Sequence, residues 1–547
     1  MFKYPGLDYT FRFEGRKNME RNPTFFIKTP LVVVIVLFIF ISQTLFLSGC
    51  MDRNGEDKRE IENEINIGSI YDISGFYPWM IRDTSSCSLN QNFFNPLIEL
   101  DPKTRGIISA LAENWINPDN VTWNFFLRKD VKFHNGYDFT AHDVNFTINF
   151  LRNNFSYYNQ TLSSLSEIRI LDNYTLEMKT SDPNPLLLYD LLGVNILSRE
   201  YINEIIDTNE TWPIGTGPYK LVEYESGKHI ILERFDEYFR GVPDIKRVNV
   251  ILMENYEDLK IGLIEGLLDI ALIPTNYVDE IEKTEGLTVK SVQTVGITYL
   301  GFDFRVNDSY GFKGVKNPLS DLNVRKAMYH AIDIERLLEN ISNTSALVPA
   351  SQFVTQFIHG FNPDIERLPY DLESATQLMI DAGYSDGFTV ELDCLDSNTS
   401  INICNEIANQ LSDLNINVEI NSLPDYEFYS KLYLKNTSFY LTGFSPLSAE
   451  GTIELLLHTS DMQENIGIWN YGNYSNLEVD RLYEIISKTF DSNIRKESIQ
   501  EAFSIAIEDV AWIPLYSGRA FYGVRDNINW NPRPALYLIF EDISFYD

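Results

Sequence analysis

The sequence predicts an α/β protein built from more than one lobe. Strand-like and helix-like segments alternate along the chain after residue 63. With 547 residues, the chain is too long for a single ordinary hydrophobic core. Its composition, 44% hydrophobic and 13% aromatic, supplies enough apolar surface for several cores. We therefore expect two or three packed lobes.

The strands are predicted from alternating apolar and polar residues. The stretch EINIGSI, residues 64–70, alternates in this way and opens the folded region. VTWNFFLRKDVKF, from Val121, reads as two short strands around a turn. Two hairpins are predicted, one over residues 168–180 with its turn at LDN, and one over residues 219–236 with a polar turn that contains a glycine.

The helices are predicted from four-residue apolar spacing and from capping residues. TAHDVNFTINFLRNN reads as a helix with Thr140 or Asp143 near its N-terminus. Leu259, Leu263 and Leu267 recur on one face of a second helix, which we expect to pack on a sheet. A third helix is predicted over NVRKAMYHAIDIERLLEN. FTVELDC and INVEINSL flank a fourth helix, which is the pattern of an α/β lobe.

The charge balance excludes one class of partner. The chain has 44 Lys and Arg residues against 78 Asp and Glu residues, which gives a formal charge of −34. Nucleic-acid binding needs a basic surface that neutralises phosphates. We therefore expect no nucleic-acid partner, and we interpret the acidic surface as one that keeps the protein soluble.

An export signal is predicted near the N-terminus. The apolar run of residues 31–47 follows Lys28 and precedes Ser48, Gly49 and Cys50. LSGC resembles the lipobox of lipoproteins, which implies that Cys50 is lipidated and anchors the protein. The alternative is an uncleaved spanning helix, because the run approaches the ~20 apolar residues that a span requires. Residues 19–50 are thus the predicted signal and lipobox segment, with Met19 as a predicted start, and residues 51–63 are a charged tether.

The other cysteines leave two readings open. Cys394 ends a strand-like segment and Cys404 opens a helix-like one, so a disulfide between them and two free buried thiols are both compatible with the sequence. Cys87 is the remaining cysteine, and the spacing of the three does not suit zinc.

Catalytic motifs give little support for an enzyme. H-E-x-x-H and the phosphate loop G-x-x-x-x-G-K-[ST] do not occur. The letters G-x-S-x-G occur once, as GYSDG at residues 383–387, but they follow the predicted helix stop at Gly383, whereas a nucleophile elbow joins a strand to a helix. GTGPYK, residues 215–220, contains a proline that removes an N–H donor, so we interpret it as a turn into a strand. His134 and His142 are eight residues apart, and a turn or cap role fits them better than a metal pair. We expect no enzyme activity, no cofactor and no metal site.

Several sequence segments resemble those of a known family and occur in the same order along the chain. They are FFNPLIELDP with ALAENW and VTWNFFLRKDVKFHNGYDFTAHDVNFTINFL, then GTGPYKLVEYESGKHIILERFDEYF, NVRKAMYHAIDIERLL, YDLESATQLMIDAGYSDGFTVEL and AWIPLYSGRAFYGVR. Together they span about residues 64–530. The chain resembles the extracytoplasmic solute-binding proteins of peptide/nickel-type ABC importers, bacterial family 5.

The resemblance implies a type II periplasmic-binding-protein-like fold, with two α/β lobes, a hinge and an inserted subdomain. Tyr299 and Phe302 are candidate hinge residues. The implied division of the chain is as follows: residues 64–96, 212–300 and 509–547 form lobe I, residues 97–211 form the inserted subdomain, and residues 301–508 form lobe II.

The resemblance also implies where ligand binds. Peptide-binding members hold the peptide's amine with an aspartate in a G-W-x-x-D stretch, a charge-assisted contact. Leu447 stands at that position here, and Glu450 is the nearest substitute. The other candidate contacts are Phe444 and Ser445 in the same stretch, and Phe76, Tyr77 and Trp79 near the first strand. The three aromatic residues suit a core position equally well.

The implied function is that of a membrane-tethered receptor, outside the cytoplasm, which binds peptides or peptide-sized solutes and delivers them to an ABC permease by lobe closure. The first alternative is a receptor for a nickel chelate, for which His458 is the histidine nearest to the ligand stretch, although packing or capping suits it better. The second alternative is a sensory ectodomain with the same closing fold.

Overall fold

The computed structural model describes residues 63–81, 83–205, 212–307, 309–341 and 346–546. The predicted signal, Cys50 and almost all of the predicted tether lie outside the described residues. Within the described ranges, no helix is both long enough and apolar enough to cross a membrane.

The described residues form twenty strands. In chain order they are β1 Glu64–Ser69, β2 Ile98–Leu100, β3 Ile107–Ser109, β4 Ala112–Ile116, β5 Thr122–Leu127, β6 Leu165–Asp172, β7 Thr175–Thr180, β8 Tyr219–Glu225, β9 His229–Arg234, β10 Arg247–Leu252, β11 Ile270–Ile273, β12 Leu287–Gln293, β13 Ile297–Phe302, β14 Leu347–Pro349, β15 Phe388–Leu395, β16 Ile416–Leu423, β17 Phe439–Phe444, β18 Trp512–Arg525, β19 Ile528–Asn529 and β20 Ser544–Phe545.

The α-helices of the described residues are α1 Thr84–Phe93, α2 Ala141–Asn154, α3 Ser156–Thr161, α4 Leu187–Leu191, α5 Arg199–Ile205, α6 Tyr256–Ile264, α7 Val278–Glu282, α8 Leu322–His330, α9 Ile334–Ile341, α10 Leu372–Asp381, α11 Asn398–Leu411, α12 Asp425–Tyr433, α13 Ala449–Thr452, α14 Leu477–Lys488 and α15 Ser492–Glu508. A π-helix, Ile453–Leu457, continues α13. Short 3-10 helices lie at Pro78–Met80, Thr275–Tyr277, Pro318–Ser320, Ser412–Leu414 and Phe540–Asp542.

One large sheet runs through the molecule in the order β16-β15-β17-β13-β18-β11-β1-β10-β9-β8, and β12 and β14 also pair with β18. β1 is parallel to β10 and β11, and β15 is parallel to β16 and β17, while the other pairs are antiparallel. Helices cover both parallel stretches. The predicted α/β class is therefore confirmed.

The first half of this sheet, β8 to β12 with β1 and the end of β18, belongs to the first lobe. Ile65 and Ile67 of β1 are buried, and α6 packs on the same strand. A Cβ at Gly68 would lie 2.5 Å from Leu259 Cδ2, so the helix and strand approach closely because position 68 has no side chain.

The second half of the sheet, β13 to β17 with the start of β18, carries the core of the second lobe. α8 to α11 pack on one face around Leu300, Leu392 and Leu441. α14, α15 and the π-helix pack on the other face around Trp512 and Phe503. Because both faces are covered, the central strands β13 and β17 are buried along most of their length, whereas most residues of the edge strand β16 are half-buried or exposed.

The inserted subdomain is a four-stranded antiparallel sheet in the order β4-β5-β7-β6, covered by α2. α2 begins as predicted. Thr140 is its N-cap, and Thr140 and Asp143 form a capping box. The predicted hairpins are also present, as β6 with β7 and β8 with β9. The numerical lobe boundaries given above stay predictions.

Three local expectations were wrong. Residues 322–341 form two helices, α8 and α9, since the chain turns at Ala331 to Asp333. Leu267 is 49% exposed because α6 ends at Ile264 and the chain turns at Gly266, which has a positive φ of 81°. The second of the two strands predicted in VTWNFFLRKDVKF does not form. In that part of the chain, Lys132 makes only an isolated β-bridge to Asp138.

The turn at residues 215–220 packs on α1 of the first lobe through direct backbone contact, and His134 of the subdomain packs on this turn. Gly217 N–H donates to Phe93 O over 2.9 Å, and a Cβ at Gly217 would lie 2.4 Å from Asn92 O. His134, from the subdomain, contacts Gly217 O through Nε2 at 2.9 Å, and its burial lowers its pKa to about 4. The GTGP segment is thus a turn, as predicted, and it packs between α1 and His134.

We predict that Gly217→Ala lowers the free energy of unfolding by about 1–3 kcal/mol, because the new methyl group overlaps a carbonyl that is held in α1. Gly193→Ala is the matched control, since a Cβ there meets open space. Thermal unfolding of the two variants measures the difference. Equal unfolding temperatures would contradict the close-approach interpretation.

Candidate binding cleft

Two neighbouring connections join the halves of the large sheet. The first runs from Gln293, the end of β12, to Ile297, the start of β13. The second lies inside β18, which pairs with β13 up to Tyr516 and with β12 from Arg519 onward. Thr294 N–H donates to Gly518 O over 2.8 Å, so the two connections lie side by side. Such a pair of crossings is the position of a hinge between lobes.

Tyr299 and Phe302 do not lie in these connections. Both are inside β13, where they are 1% exposed and paired with β17. Tyr299 stacks on Trp512 with ring centroids 3.9 Å apart, and Phe302 stacks on Phe439 at 5.5 Å. These residues hold the second lobe's sheet together, while residues 293–297 and 516–519 make the crossing.

The predicted ligand stretch begins beside the first connection. Phe444 is the last residue of β17 and pairs with Ile297, and its half-buried ring meets Trp469 edge-on at 5.6 Å. Ser445 is exposed, and a Cβ at Gly296 would lie 3.0 Å from its Oγ. The geometry therefore places Phe444 and Ser445 at the edge of the sheet where the two lobes meet.

Leu447 and Glu450 differ sharply in their surroundings. Leu447 is 57% exposed, whereas Glu450 on α13 is 1% exposed. Ser448 caps this helix by accepting from Gly451 N–H over 3.0 Å. Burial raises the pKa of Glu450. Position 447 thus carries no carboxylate, and the nearest carboxylate along this stretch, that of Glu450, is buried.

Arg495 of α15 is the cation beside Glu450. Its Nε lies 3.5 Å from Glu450 Oε1, and the Arg495 side chain is 13% exposed. Among the described residues, no group donates a hydrogen bond of ordinary geometry to either oxygen of Glu450, and Arg495 Nε likewise lacks an acceptor. Arg495 Nη1 donates to Thr489 O over 3.0 Å, but the facing atoms of this buried pair do little to offset the cost of desolvation. Both groups are therefore suited to bind polar groups of a ligand.

The inserted subdomain faces this region through α4. Asp190 lies near Glu454 of the π-helix and Tyr483 of α14. Asn184 Nδ2 donates to Asp190 Oδ2 over 3.5 Å, a long contact. Burial, followed by the charge of Glu454, raises the pKa of Asp190 to about 8. Two carboxylates from different parts of the fold thus face each other.

Aromatic contacts support the same interface. Trp123 of the subdomain and Phe490 of the second lobe pack with ring centroids 5.8 Å apart. Glu454 lies in the π-helix, a rare form that is frequent at functional sites.

We did not predict Asp190 or Glu454 from the sequence. The available signal was the single carboxylate in the apolar run PLLLYDLLG.

The three predicted aromatic residues of the first lobe lie mostly in its core. Phe76 is 7% exposed and meets Tyr224 edge-on at 5.1 Å. Tyr77 is 2% exposed and donates from its hydroxyl to Trp212 O over 2.9 Å. Trp79 is half-buried and stacks on Tyr77 at 4.5 Å. Trp79 is the most exposed of the three, and ligand contact by this group stays a prediction.

The histidines that were considered for metal do not come together. His458 Nδ1 lies 2.8 Å from Thr459 O and 3.6 Å from Asp480 Oδ1 at the end of the π-helix, which agrees with a capping role. Within the described ranges, no group of three or more His, Cys, Asp and Glu residues has the arrangement of a metal site.

The chain is similar to known proteins in sequence and in fold. A model described as Bacterial extracellular solute-binding proteins, family 5 Middle, matches residues 106–463. The solved structure of HbpA2 from Haemophilus parasuis superposes with a TM-score of 0.77 and 20% identity, covering 88% of this chain and 100% of that one. This similarity confirms the predicted type II fold with two lobes.

Two relatives are similar in sequence. Heme-binding protein A of Haemophilus influenzae is 26% identical over 389 residues, which cover 64% of this chain and 68% of that protein. The dipeptide-binding protein of Escherichia coli is 26% identical over 354 residues, which cover 58% of this chain and 63% of that protein. The matched part thus spans about two thirds of each relative.

We predict that Asp190→Asn stabilises the protein at pH 8 and has little effect at pH 4. Between these values the unfolded chain ionises Asp190 while the folded state keeps its proton, so the folded state binds more protons and wild-type stability falls as pH rises. We expect a gain at pH 8 of about 1–3 kcal/mol, reduced by partial solvent screening.

Thermal unfolding at both pH values measures this effect. Asp182→Asn, an exposed position in the same subdomain, is the control. A gain for Asp190→Asn that is equal at pH 4 and pH 8 would show that Asp190 is not held protonated.

Proposed function

Because this chain belongs to the bacterial extracellular solute-binding proteins of family 5, we propose that it binds peptides or peptide-sized solutes and delivers them to an ABC importer. The family match over residues 106–463 carries this proposal. The dipeptide-binding relative supports peptides as the ligand class. The chain binds its ligand and releases it unchanged, so it has no catalytic role.

The proposed mechanism is closure of the two lobes about residues 293–297 and 516–519. A hinge of two short connections permits a rigid rotation, because the strand pairing within each half of the sheet is unchanged. Ligand stabilises the closed form by the difference between its affinities for the closed and open forms. The lobe boundaries given above are the proposed moving bodies, with residues 97–211 as the inserted subdomain. An ABC permease then receives the ligand from the closed form.

We propose that Glu450 and Arg495 bind the charged groups of the ligand. A peptide carries an ammonium and a carboxylate group, and this pair offers one acceptor and one donor of opposite charge. Each now lacks a hydrogen bond at the atoms named above, so ligand binding satisfies groups that the protein itself leaves unsatisfied. Phe444 and Ser445 lie at the same edge, and Phe76, Tyr77 and Trp79 are the proposed contacts from the first lobe.

We propose that the protein works outside the cytoplasm and is held at the outer face of the cell membrane by a lipid on Cys50. The sequence LSGC after an apolar run supports this anchor. An uncleaved N-terminal helix is the alternative attachment.

Native mass spectrometry of the gently purified chain tests the ligand class. We expect a heterogeneous set of peptide-sized mass increments, because a closed receptor retains its ligand. A single small increment with a nickel isotope pattern would instead assign a nickel chelate. Ligand-dependent binding to a chemoreceptor and not to a permease would identify a sensory ectodomain.

We predict that Glu450→Gln weakens peptide binding at least about tenfold, because a charge-assisted hydrogen bond is lost while the side-chain volume is kept. Glu497→Gln, at an exposed position two residues after Arg495, is the matched control and keeps full affinity. Isothermal titration calorimetry of both variants with the peptides recovered above measures the difference. Equal affinities would remove Glu450 from the ligand site.

We predict that Cys50→Ala releases the protein from the membrane without unfolding it. The folded lobes begin after residue 63, so loss of the anchor leaves their cores intact. Cell fractionation with immunoblotting, together with a ligand-binding assay on the released protein, measures both effects. Unchanged retention and processing would favour the spanning helix.

A further inference from the structure

Two of the described cysteines meet in the core of the second lobe. Cys394 is the seventh residue of β15, and Cys404 lies in the middle of α11, which packs on that strand. Both residues are 0% exposed and belong to the same hydrophobic core cluster. Each thiol shifts the pKa of the other, so the two side chains lie within interaction range. The structure holds them as free thiols.

The two cysteines lie on a helix and a strand that pack directly on each other. Disulfides form where two cysteines lie on adjoining elements with their side chains directed at each other. Here the strand and the helix are fixed against each other by apolar neighbours on each side, such as Leu392 of β15 and Ile403 and Ile407 of α11. The ten-residue separation closes a short loop, residues 395–403, between them.

We propose that Cys394 and Cys404 form a disulfide bond in the exported protein. The inference requires the extracytoplasmic location in the proposed function, where disulfides persist, but it does not depend on the identity of the ligand. Two S–H bonds break and one S–S bond forms. The two electrons and two protons pass to an external disulfide oxidant, which becomes a pair of thiols by thiol–disulfide exchange.

The interaction between the two thiols lowers the pKa of Cys394. Cys394 is therefore the thiol that ionises more readily to the attacking thiolate. Because neither thiol is exposed in the folded state, an oxidant reaches them during folding, and a reductant cannot reach the finished bond afterwards.

The bond would act at the edge of the proposed ligand site. β15 is parallel to β17, with Leu392 beside Phe439 and Asp393 beside Tyr440, so the end of β15 lies at the same sheet edge as Phe444. A disulfide there ties the segment after β15 to α11. The segment that it fixes, residues 395–397, borders the edge that carries the ligand stretch.

Peptide mapping of the exported, non-reduced chain tests the proposal directly. The protein is quenched in acid, unfolded, alkylated with iodoacetamide and digested. We expect a linked peptide pair containing Cys394 and Cys404, and an alkylated Cys87, whose half-buried thiol donates to the Tyr537 hydroxyl instead. Reductant without denaturant leaves the linked pair in place, whereas reductant with denaturant releases it. Separate alkylation of Cys394 and Cys404 in the non-reduced sample overturns the proposal.

Thermal unfolding supplies an independent readout. Protein refolded with glutathione disulfide is compared with protein refolded in reductant. We expect the oxidised form to unfold about 3 °C higher in the wild type and in Cys87→Ala, because closing a short loop restricts the unfolded chain. The difference vanishes in Cys404→Ala. A difference that persists in Cys404→Ala, or is absent from all three proteins, contradicts the bond.

The test separates this inference from the proposed function. If the linked peptide is found while native mass spectrometry shows no ligand, the disulfide stands and the receptor role fails. If peptides are bound while both cysteines are alkylated, the receptor role stands and the disulfide fails. Should Cys404→Ala fail to fold, the peptide map alone decides.

Discussion

The fold depends on the main-chain pairing of one strand, β18. Its fourteen residues pair first with β13 and β14 and then with β11 and β12, so a single extended segment belongs to both lobes. Because strand pairing fixes register, the halves of the sheet cannot slide past each other at this strand. In the proposed closure, motion between the lobes is therefore a rotation about residues 293–297 and 516–519, and the candidate cleft lies beside that axis.

A second constraint attaches the inserted subdomain. Gly215 and Gly217 lie so close to the end of α1 that a Cβ at these positions would come within 2.0 Å of Phe93 O and 2.4 Å of Asn92 O. Neutral His134 completes the contact from the subdomain side. This attachment gives α4 a defined position, and Asp190 thereby faces Glu454 across the interface with the second lobe.

Several charged side chains in the cleft region lack the hydrogen bonds or opposite charges that would offset the cost of their burial. Asp190 and Glu454 raise each other's energy by like charge, and Glu450 Oε1 has Arg495 Nε beside it at 3.5 Å without a hydrogen bond between these atoms. In a chain of net charge −34, these carboxylates differ from the many solvated ones because they are buried or half-buried, so water screens them less. In the proposed function, a ligand with both an ammonium and a carboxylate group supplies the missing partners of Glu450 and Arg495.

The sequence by itself determined the α/β class, the capped start of α2, the two hairpins, the turn character of GTGPYK and the family, because periodicity, capping and phrase order are local properties. It placed Glu450 near the ligand stretch but not its pairing with Arg495, which is 45 residues away along the chain. It left the bonding of Cys394 and Cys404 open, and it did not show that Tyr299 and Phe302 lie inside β13 and not in a connection between the halves of the sheet. Only the tertiary structure decided the pairing of Glu450, the burial of both thiols and the position of these two aromatic residues, because burial, charge pairing and strand register arise between segments that are distant in the chain.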